Sequence, residues 1–320
     1  MYLGILWMSK IINNIRLLGC RAGSRWPHFR DYKGSMVSKY QPFPFFLATA
    51  SSMLKREGFD VVLRDSIVLG ETYESYFRFV QNEAPDIVFL ETSTPSINND
   101  LSIIQQIKQN NPRIITIIAG LHAPIAEELF LENNPAVDFS IYGEYEHPLL
   151  ILLCALQQNE QLETVPNLLF RENGKIHKTH RETLVPIQEL PWPDREVLPE
   201  LYYDGCGGML GLELQLHTSR GCPFGCNFCV LPQIMYAGHS YRMRDPQDVI
   251  NEILFHFQKT PYTHFYFDDD TINVDKKHFL ELCYLIKESG LSQYPWGCMG
   301  RADLMDSEML EALKKQVAFP

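Results

Sequence analysis

The sequence predicts an α/β protein made of two βα series joined by an irregular stretch. Three observations carry this. Short apolar runs alternate with amphipathic segments over residues 15–158, a second alternation of the same kind occupies residues 211–320, and the residues between them are rich in turn formers and proline. The first series reads as a doubly wound, Rossmann-like sheet of five parallel strands. The second reads as a (β/α) partial barrel of about three units.

Each element follows from its residues. The expected strands are 15–18, 61–63, 87–90, 114–119 and 139–142, and the expected helices between and after them are 45–57, 73–82, 99–110, 123–133 and 147–158. Gly58 suits the left-handed position that closes the first of these helices. Apolar strands bounded by turns and separated by helices form a parallel sheet covered on both faces, whose ligands bind at the carboxyl ends of the strands. Residues 167–170 and 176–178, joined by Glu172-Asn173-Gly174-Lys175, read as a small hairpin. Pro186, Pro191, Pro193 and Pro199 then break regular structure, so residues 159–210 are expected to be a hairpin and linker. Beyond it come strands at 212–218, 264–267 and about 296–299, with helices near 246–258, 276–289 and 307–316. No internal repeat or low-complexity tract occurs.

Composition narrows the function. Hydrophobic residues are 45% and charged residues 21% of the chain, an ordinary globular balance. With 28 basic and 39 acidic residues the net charge is −11 and no basic cluster occurs, which argues against nucleic acid and for a small-molecule substrate. No run approaches the ~18 apolar residues of a membrane span. The apolar N-terminus lacks a basic lead and is interrupted by Lys10, Asn13, Asn14 and Arg16, which is not a signal peptide, so a cytoplasmic location is expected. Five of the eight cysteines are scattered singly (Cys20, Cys154, Cys206, Cys283, Cys298), a layout that fits a reducing compartment better than disulfides.

The other three form the most specific motif, Cys222-Pro223-Phe224-Gly225-Cys226-Asn227-Phe228-Cys229, directly after a barrel strand. Thiolates on a short loop favour iron–sulfur or zinc centres. Three leave one coordination position open for chemistry. A zinc site would need a fourth ligand, which Cys206 or His239 could supply.

Here the chain resembles the radical S-adenosylmethionine (SAM) superfamily, whose Cys-x3-Cys-x2-Cys signature is matched by Cys222, Cys226 and Cys229, with Phe228 at the aromatic position before the last cysteine. The resemblance implies a [4Fe–4S] cluster on the three cysteines, SAM on its open iron, and reductive cleavage to a 5′-deoxyadenosyl radical. Such cleavage calls for a reductant such as a flavodoxin or ferredoxin and for anaerobic conditions. After the second barrel strand stands Asp268-Asp269-Asp270, where the family holds the SAM amino group. Asp269 and Asp270 are the expected SAM contacts beside Phe228, and Arg301 could reach SAM or a substrate carboxylate.

Residues 15–158 resemble the cobalamin-binding domain of cobalamin-dependent radical SAM proteins, in the broad branch that includes the anaerobic magnesium-protoporphyrin monomethyl ester cyclase. Three loops at strand ends carry this likeness: Thr92-Ser93-Thr94, Gly120-Leu121-His122-Ala123 and Gly143-Glu144-Tyr145-Glu146. The implied cobalamin contacts are Thr92, Ser93, Thr94, Gly120, His122, Ala123, Gly143, Glu144 and Glu146. No Asp-x-His-x-x-Gly motif occurs, so no histidine is marked as a lower cobalt ligand. The loop 21–27 is a further candidate contact, and residues 1–14 match nothing in the family.

The expected function is therefore a cobalamin-dependent radical SAM enzyme that methylates, oxidises or cyclises an unactivated carbon, with no catalytic side chain assigned. The family's core has six βα units against about three here, so the chain is also expected to be C-terminally truncated. The alternatives are a cobalamin- and cluster-binding fragment without turnover, a half completed by a complementing chain, and a zinc-stabilised regulatory protein.

Overall fold

The structure, a computed structural model, describes residues 16–21, 42–66, 68–122, 127–196, 198, 203, 211–236 and 238–314. Residues 1–14, the loop 22–27, Ala123 and Cys206 lie outside the described residues.

The N-terminal part is a doubly wound α/β layer. Strands β1 (Arg16–Arg21), β2 (Asp60–Asp65), β3 (Ile87–Thr92), β4 (Ile115–Gly120) and β5 (Phe139–Ile141) run parallel in the order β2-β1-β3-β4-β5. Strand order reverses beside β1, and the crevice at such a switch point is where ligands bind. Helices α1 (Phe45–Arg56), α2 (Tyr73–Glu83), α3 (Ile97–Asn110), α4 (Glu127–Asn133) and α5 (Glu146–Gln158) cover the faces. Every residue of β3 and β4 is buried, as expected of central strands without polar alternation. One face packs Phe89 and Ile117 under α1 and α5, and the other packs Val88, Leu90 and Ile118 under α3.

The hairpin expected between the series forms as β6 (Leu168–Glu172) and β7 (Lys175–Lys178). It does more than link, because β6 pairs antiparallel with β5 and extends the parallel sheet to seven strands. Leu168, Leu169 and Phe170 are buried against the sheet, which supplies the reason.

The second series contains β8 (Glu213–Leu216), β9 (Ser219–Gly221), α6 (Leu231–Ile234), β10 (Tyr241–Met243), α7 (Pro246–Lys259), β11 (His264–Phe267), α8 (Lys276–Glu288), β12 (Trp296–Cys298) and α9 (Ser307–Lys314). Strands β12, β11 and β8 form a parallel sheet in that order. Helix α7 starts where Asp245-Pro246 would start one: the Asp245 carboxylate accepts the Gln247 and Asp248 amides, and proline occupies a position that needs no donor. The strand expected over 212–218 forms as β8 at 213–216, and a further strand that was not expected, β9, follows it. Residues 219–221 leave the parallel sheet and pair antiparallel with β10. No helix among the described residues is long and apolar enough to cross a membrane.

The two series are seamed together. The linker residue Asp194 accepts from Ser51 Oγ at 2.7 Å and Lys55 Nζ at 2.6 Å on α1. The Phe43 amide donates to Gln215 Oε1 on β8 at 2.8 Å, and the Phe45 ring stacks on His217 with centroids 3.7 Å apart.

Candidate functional site

The cysteine loop leaves β9 through Gly221, whose φ of +94° no other residue adopts without strain. A side chain there would also meet the carbonyl of Ser240, just before the neighbouring strand β10, at 2.2 Å. The turn is therefore set by glycine, and Cys222 follows it. Cys222, Cys226 and Cys229 are half-buried free thiols. The loop folds back once, with the Cys229 amide donating to the Cys226 carbonyl at 3.0 Å. Two of the sulfurs have hydrogen-bonding neighbours. Arg301 Nη1 approaches Cys226 Sγ at 3.7 Å, and Thr271 Oγ1 stands 3.5 Å from Cys222 Sγ.

Arg301 is held by several contacts. Its guanidinium lies over the Phe224 ring at 4.0 Å, it grips Asp303 through Nε at 3.0 Å and Nη2 at 2.7 Å, and its backbone is bonded in both directions to Asn273. Phe228 is 88% exposed beside Cys229. His239, the alternative metal ligand, packs its ring beside Gly225. No three His, Cys, Asp or Glu side chains among the described residues stand at ligating separation. The donor chemistry nevertheless fits a thiolate-bound cluster: three unoxidised thiols on one loop, with an arginine and a hydroxyl already placed against two of the sulfurs.

The acidic triplet after β11 divides its labour. Asp269 is fully buried, and its carboxylate accepts from the Thr218 amide at 3.1 Å, from Thr218 Oγ1 at 2.9 Å and from Ser219 Oγ. It is spent on tying β11 to the strand that leads into the cysteines. Burial pushes its carboxyl up to about 6 against these hydrogen bonds. Asp270 accepts the Gly221 amide at 3.1 Å and the Tyr236 hydroxyl. Of the two residues expected at SAM, Asp270 is the one beside the loop backbone.

At the ligand edge of the large sheet, Gly120 lies in register with Thr92. Its φ is +111°, and a Cβ there would sit 2.2 Å from the Thr92 carbonyl oxygen. Strands β3 and β4 thus close on one another at the point where a ligand would enter. Ser93 and Ser96 bond to each other across the turn into α3, Thr94 is exposed, and its hydroxyl is 3.2 Å from His122 Nδ1. Partial burial lowers the His122 imidazole below its usual range. Beneath the loop, Asp100 is fully buried and accepts from Thr92 Oγ1 at 2.6 Å and Ser96 Oγ at 2.7 Å. Its other oxygen and Glu91 Oε2 are buried with no hydrogen-bond partner. Orphaned acceptors beside a closed glycine turn fit a ligand rich in amide donors.

Burial raises the Asp100 carboxyl from 3.8 to about 6. The folded state therefore keeps this proton at pH values where the unfolded chain has lost it, so stability falls as pH rises from about 4 to about 6. The Asp100→Asn variant is expected to lose up to about 3 kcal/mol of that pH dependence in urea melts taken across this window. An unchanged slope would show that Asp100 titrates normally.

Glu144 and Glu146, implied above as cobalamin contacts, lie against arginines of the second series. Both are buried, and their carboxylates are taken up across the seam. Arg220 Nη1 on β9 lies 2.6 Å from Glu146 Oε1 and 3.7 Å from Glu144 Oε2, and Arg242 on β10 pairs with Glu144 Oε1. Burial opposes the charge on Arg220, yet Glu146 and Glu144 together hold its guanidinium above the usual arginine range. The sequence marked these acids but gave no sign of their partners. The one available signal was an unassigned arginine directly before Gly221-Cys222.

Residues 36–153 match the B12-binding domain family. Over 273 residues the chain is 27% identical to an uncharacterised methyltransferase of Pyrococcus horikoshii, covering 85% of this chain and 58% of that protein. Over 283 residues it is 27% identical to the anaerobic magnesium-protoporphyrin IX monomethyl ester cyclase of Rubrivivax gelatinosus, covering 85% and 49%. The chain spans about half the length of the curated relatives it matches. Among solved structures it superposes on the radical SAM methyltransferase TsrM from Kitasatospora setae with a TM-score of 0.73 at 16% identity, over 95% of this chain and 58% of that one. It superposes on the cobalamin-dependent radical SAM enzyme OxsB, solved with aqua-cobalamin bound, with a TM-score of 0.70 at 20% identity, over 94% and 42%. These two likenesses are of fold.

Proposed function

We propose that this chain, which carries a B12-binding domain and is homologous to the cobalamin-dependent radical SAM methyltransferases and the anaerobic cyclase, binds cobalamin on its large sheet and a [4Fe–4S] cluster with SAM on its cysteine loop. The reaction class is methylation, or oxidative or cyclising modification, of an unactivated carbon in a small molecule. The observation that carries this reading is the pair of sites on one seamed body: three free thiols leaving β9, and a glycine-closed strand edge in the matched domain. A bound cluster would supply the electron that cleaves SAM to a 5′-deoxyadenosyl radical.

The chain's own residues have separable tasks. Cys222, Cys226 and Cys229 would hold iron, with Arg301 donating towards the Cys226 sulfur and the Thr271 hydroxyl beside that of Cys222. A cation and hydrogen bonds at thiolate sulfur stabilise the more negative, reduced state. Asp270 would attract the SAM ammonium, and the exposed Phe228 would offer a face to its adenine. Asp269 holds the strand end from beneath. For cobalamin, Thr92, Ser93, Thr94, Gly120, His122 and Gly143 form the proposed edge, joined in sequence by Ala123. Glu144 and Glu146 have their carboxylates engaged by arginines, so the third loop would present backbone at Gly143.

Anaerobic reconstitution tests this. The expected result is bound iron and sulfide, a shifted spectrum on adding hydroxocobalamin, and 5′-deoxyadenosine from SAM with dithionite. Iron and cobalamin without 5′-deoxyadenosine would sink the catalytic claim and leave a binding module. Zinc in place of iron would replace the cluster reading altogether.

A further inference from the structure

We infer that Arg220 is a positioning residue that couples the cobalamin-binding half to the cysteine loop, so that the state of one is felt by the other; this rests on the cobalamin reading above. Arg220 is 4% exposed and sits two residues before Cys222. Its guanidinium partner Glu146 lies 74 residues away in the chain, at the first turn of α5 in the other half. The register sharpens the point. On the antiparallel pair β9–β10, Arg220 stands directly opposite Arg242, and like charges so placed repel. Both arginines turn to the same glutamate, Glu144, and Arg220 adds Glu146, which makes a set of two cations and two anions in which only Arg242 is partly exposed.

Such a set tolerates little displacement, because moving the 144–146 loop away from β9 would expose unpaired charge to an apolar interior. The same loop is tied to the sheet core, since Tyr145 is fully buried against Phe89 and Phe46. On the other side, the Arg220 guanidinium lies over Phe46 of α1 at 4.4 Å. The next residue in the chain, Gly221, is held by Asp270, and Asp270 in turn holds Tyr236 behind the loop. A shift of the β5–α5 loop is therefore passed to the backbone that carries Cys222 through two consecutive residues.

The test uses the full chain without iron and hydroxocobalamin as the probe. The alkylation rate of Cys222, Cys226 and Cys229 is read by mass spectrometry with and without cobalamin, and melting temperature is followed throughout. In the wild type, bound cobalamin is expected to slow alkylation about fivefold or more, the lower range of coupling between sites. In the double variant Arg220→Met with Glu146→Leu, an apolar pair that removes the charges without stranding one, cobalamin should still bind and the protection should be lost. Arg220→Lys should restore part of it, which a packing role alone would not. The inference is overturned if the double variant binds cobalamin and keeps the wild-type ratio, or if wild-type protein binds cobalamin with no change in thiol reactivity. Failure of the wild type to bind hydroxocobalamin overturns the cobalamin reading itself, and this inference with it.

Discussion

The Cys226→Ala variant is expected to leave anaerobic reconstitution without cluster iron and without visible absorption. SAM cleavage should fall by more than about 100-fold, beyond the ~10–100-fold that removing an outer hydrogen-bond partner of a metal site costs. The middle cysteine is the informative one. Its sulfur is the one approached by Arg301, and its carbonyl closes the loop onto the Cys229 amide. On the proposed cluster reading, losing the thiol removes a ligand and leaves a fixed cation facing an apolar methyl group. Cys283→Ala serves as the control, since Cys283 is buried and burial pushes its thiol up to about 12, far from a ligating thiolate. Retention of full iron and colour in Cys226→Ala would remove this residue from the ligand set.

Gly120→Ala should produce the largest effect in the other half. Two costs combine there: a φ of +111°, and a new methyl 2.2 Å from the Thr92 carbonyl oxygen. A left-handed backbone costs an L-residue about 1–2 kcal/mol, and overpacking adds about 1–3 kcal/mol, so the expected loss is about 3 kcal/mol or more. Because the collision pushes β3 from β4 at the ligand edge, hydroxocobalamin affinity should fall with it. Gly174→Ala separates the two costs. Gly174 also has positive φ, at +75°, but has nothing within 4 Å of the added carbon, so only the first cost of about 1–2 kcal/mol applies. Equal stability losses in urea unfolding for the two variants would show that the strands accommodate the methyl and that the edge is not closed.

Legibility in the sequence followed the range of the interaction. The three cysteines could be read directly because their spacing lies in one loop and needs no partner from elsewhere. Strands β3 and β4 were legible as mainly apolar runs, and α7 as an Asp-Pro start. The β9–β10 pair was not legible, since Ser219-Arg220-Gly221 and Tyr241-Arg242-Met243 carry no alternation and pair across twenty residues. The hairpin read correctly as a hairpin, but its attachment to β5 depended on a sheet edge that only the assembled domain presents.

Asp269 and Glu146 show the same division at the level of single side chains. As letters, an acid after a barrel strand and an acid in a strand-end loop each read as cofactor contacts. Once folded, Asp269 faces Thr218 and Ser219 behind the strand, and Glu146 faces Arg220 across the seam. Residue type and local spacing established the α/β architecture, the loop of three closely spaced thiols and the glycines that close the strand edge, because each of these rests on neighbours in the chain. The choice of protein partners for these carboxylates belonged to tertiary structure. That choice is made by burial and by cations brought from up to 98 residues away, and neither exists until the two halves have packed.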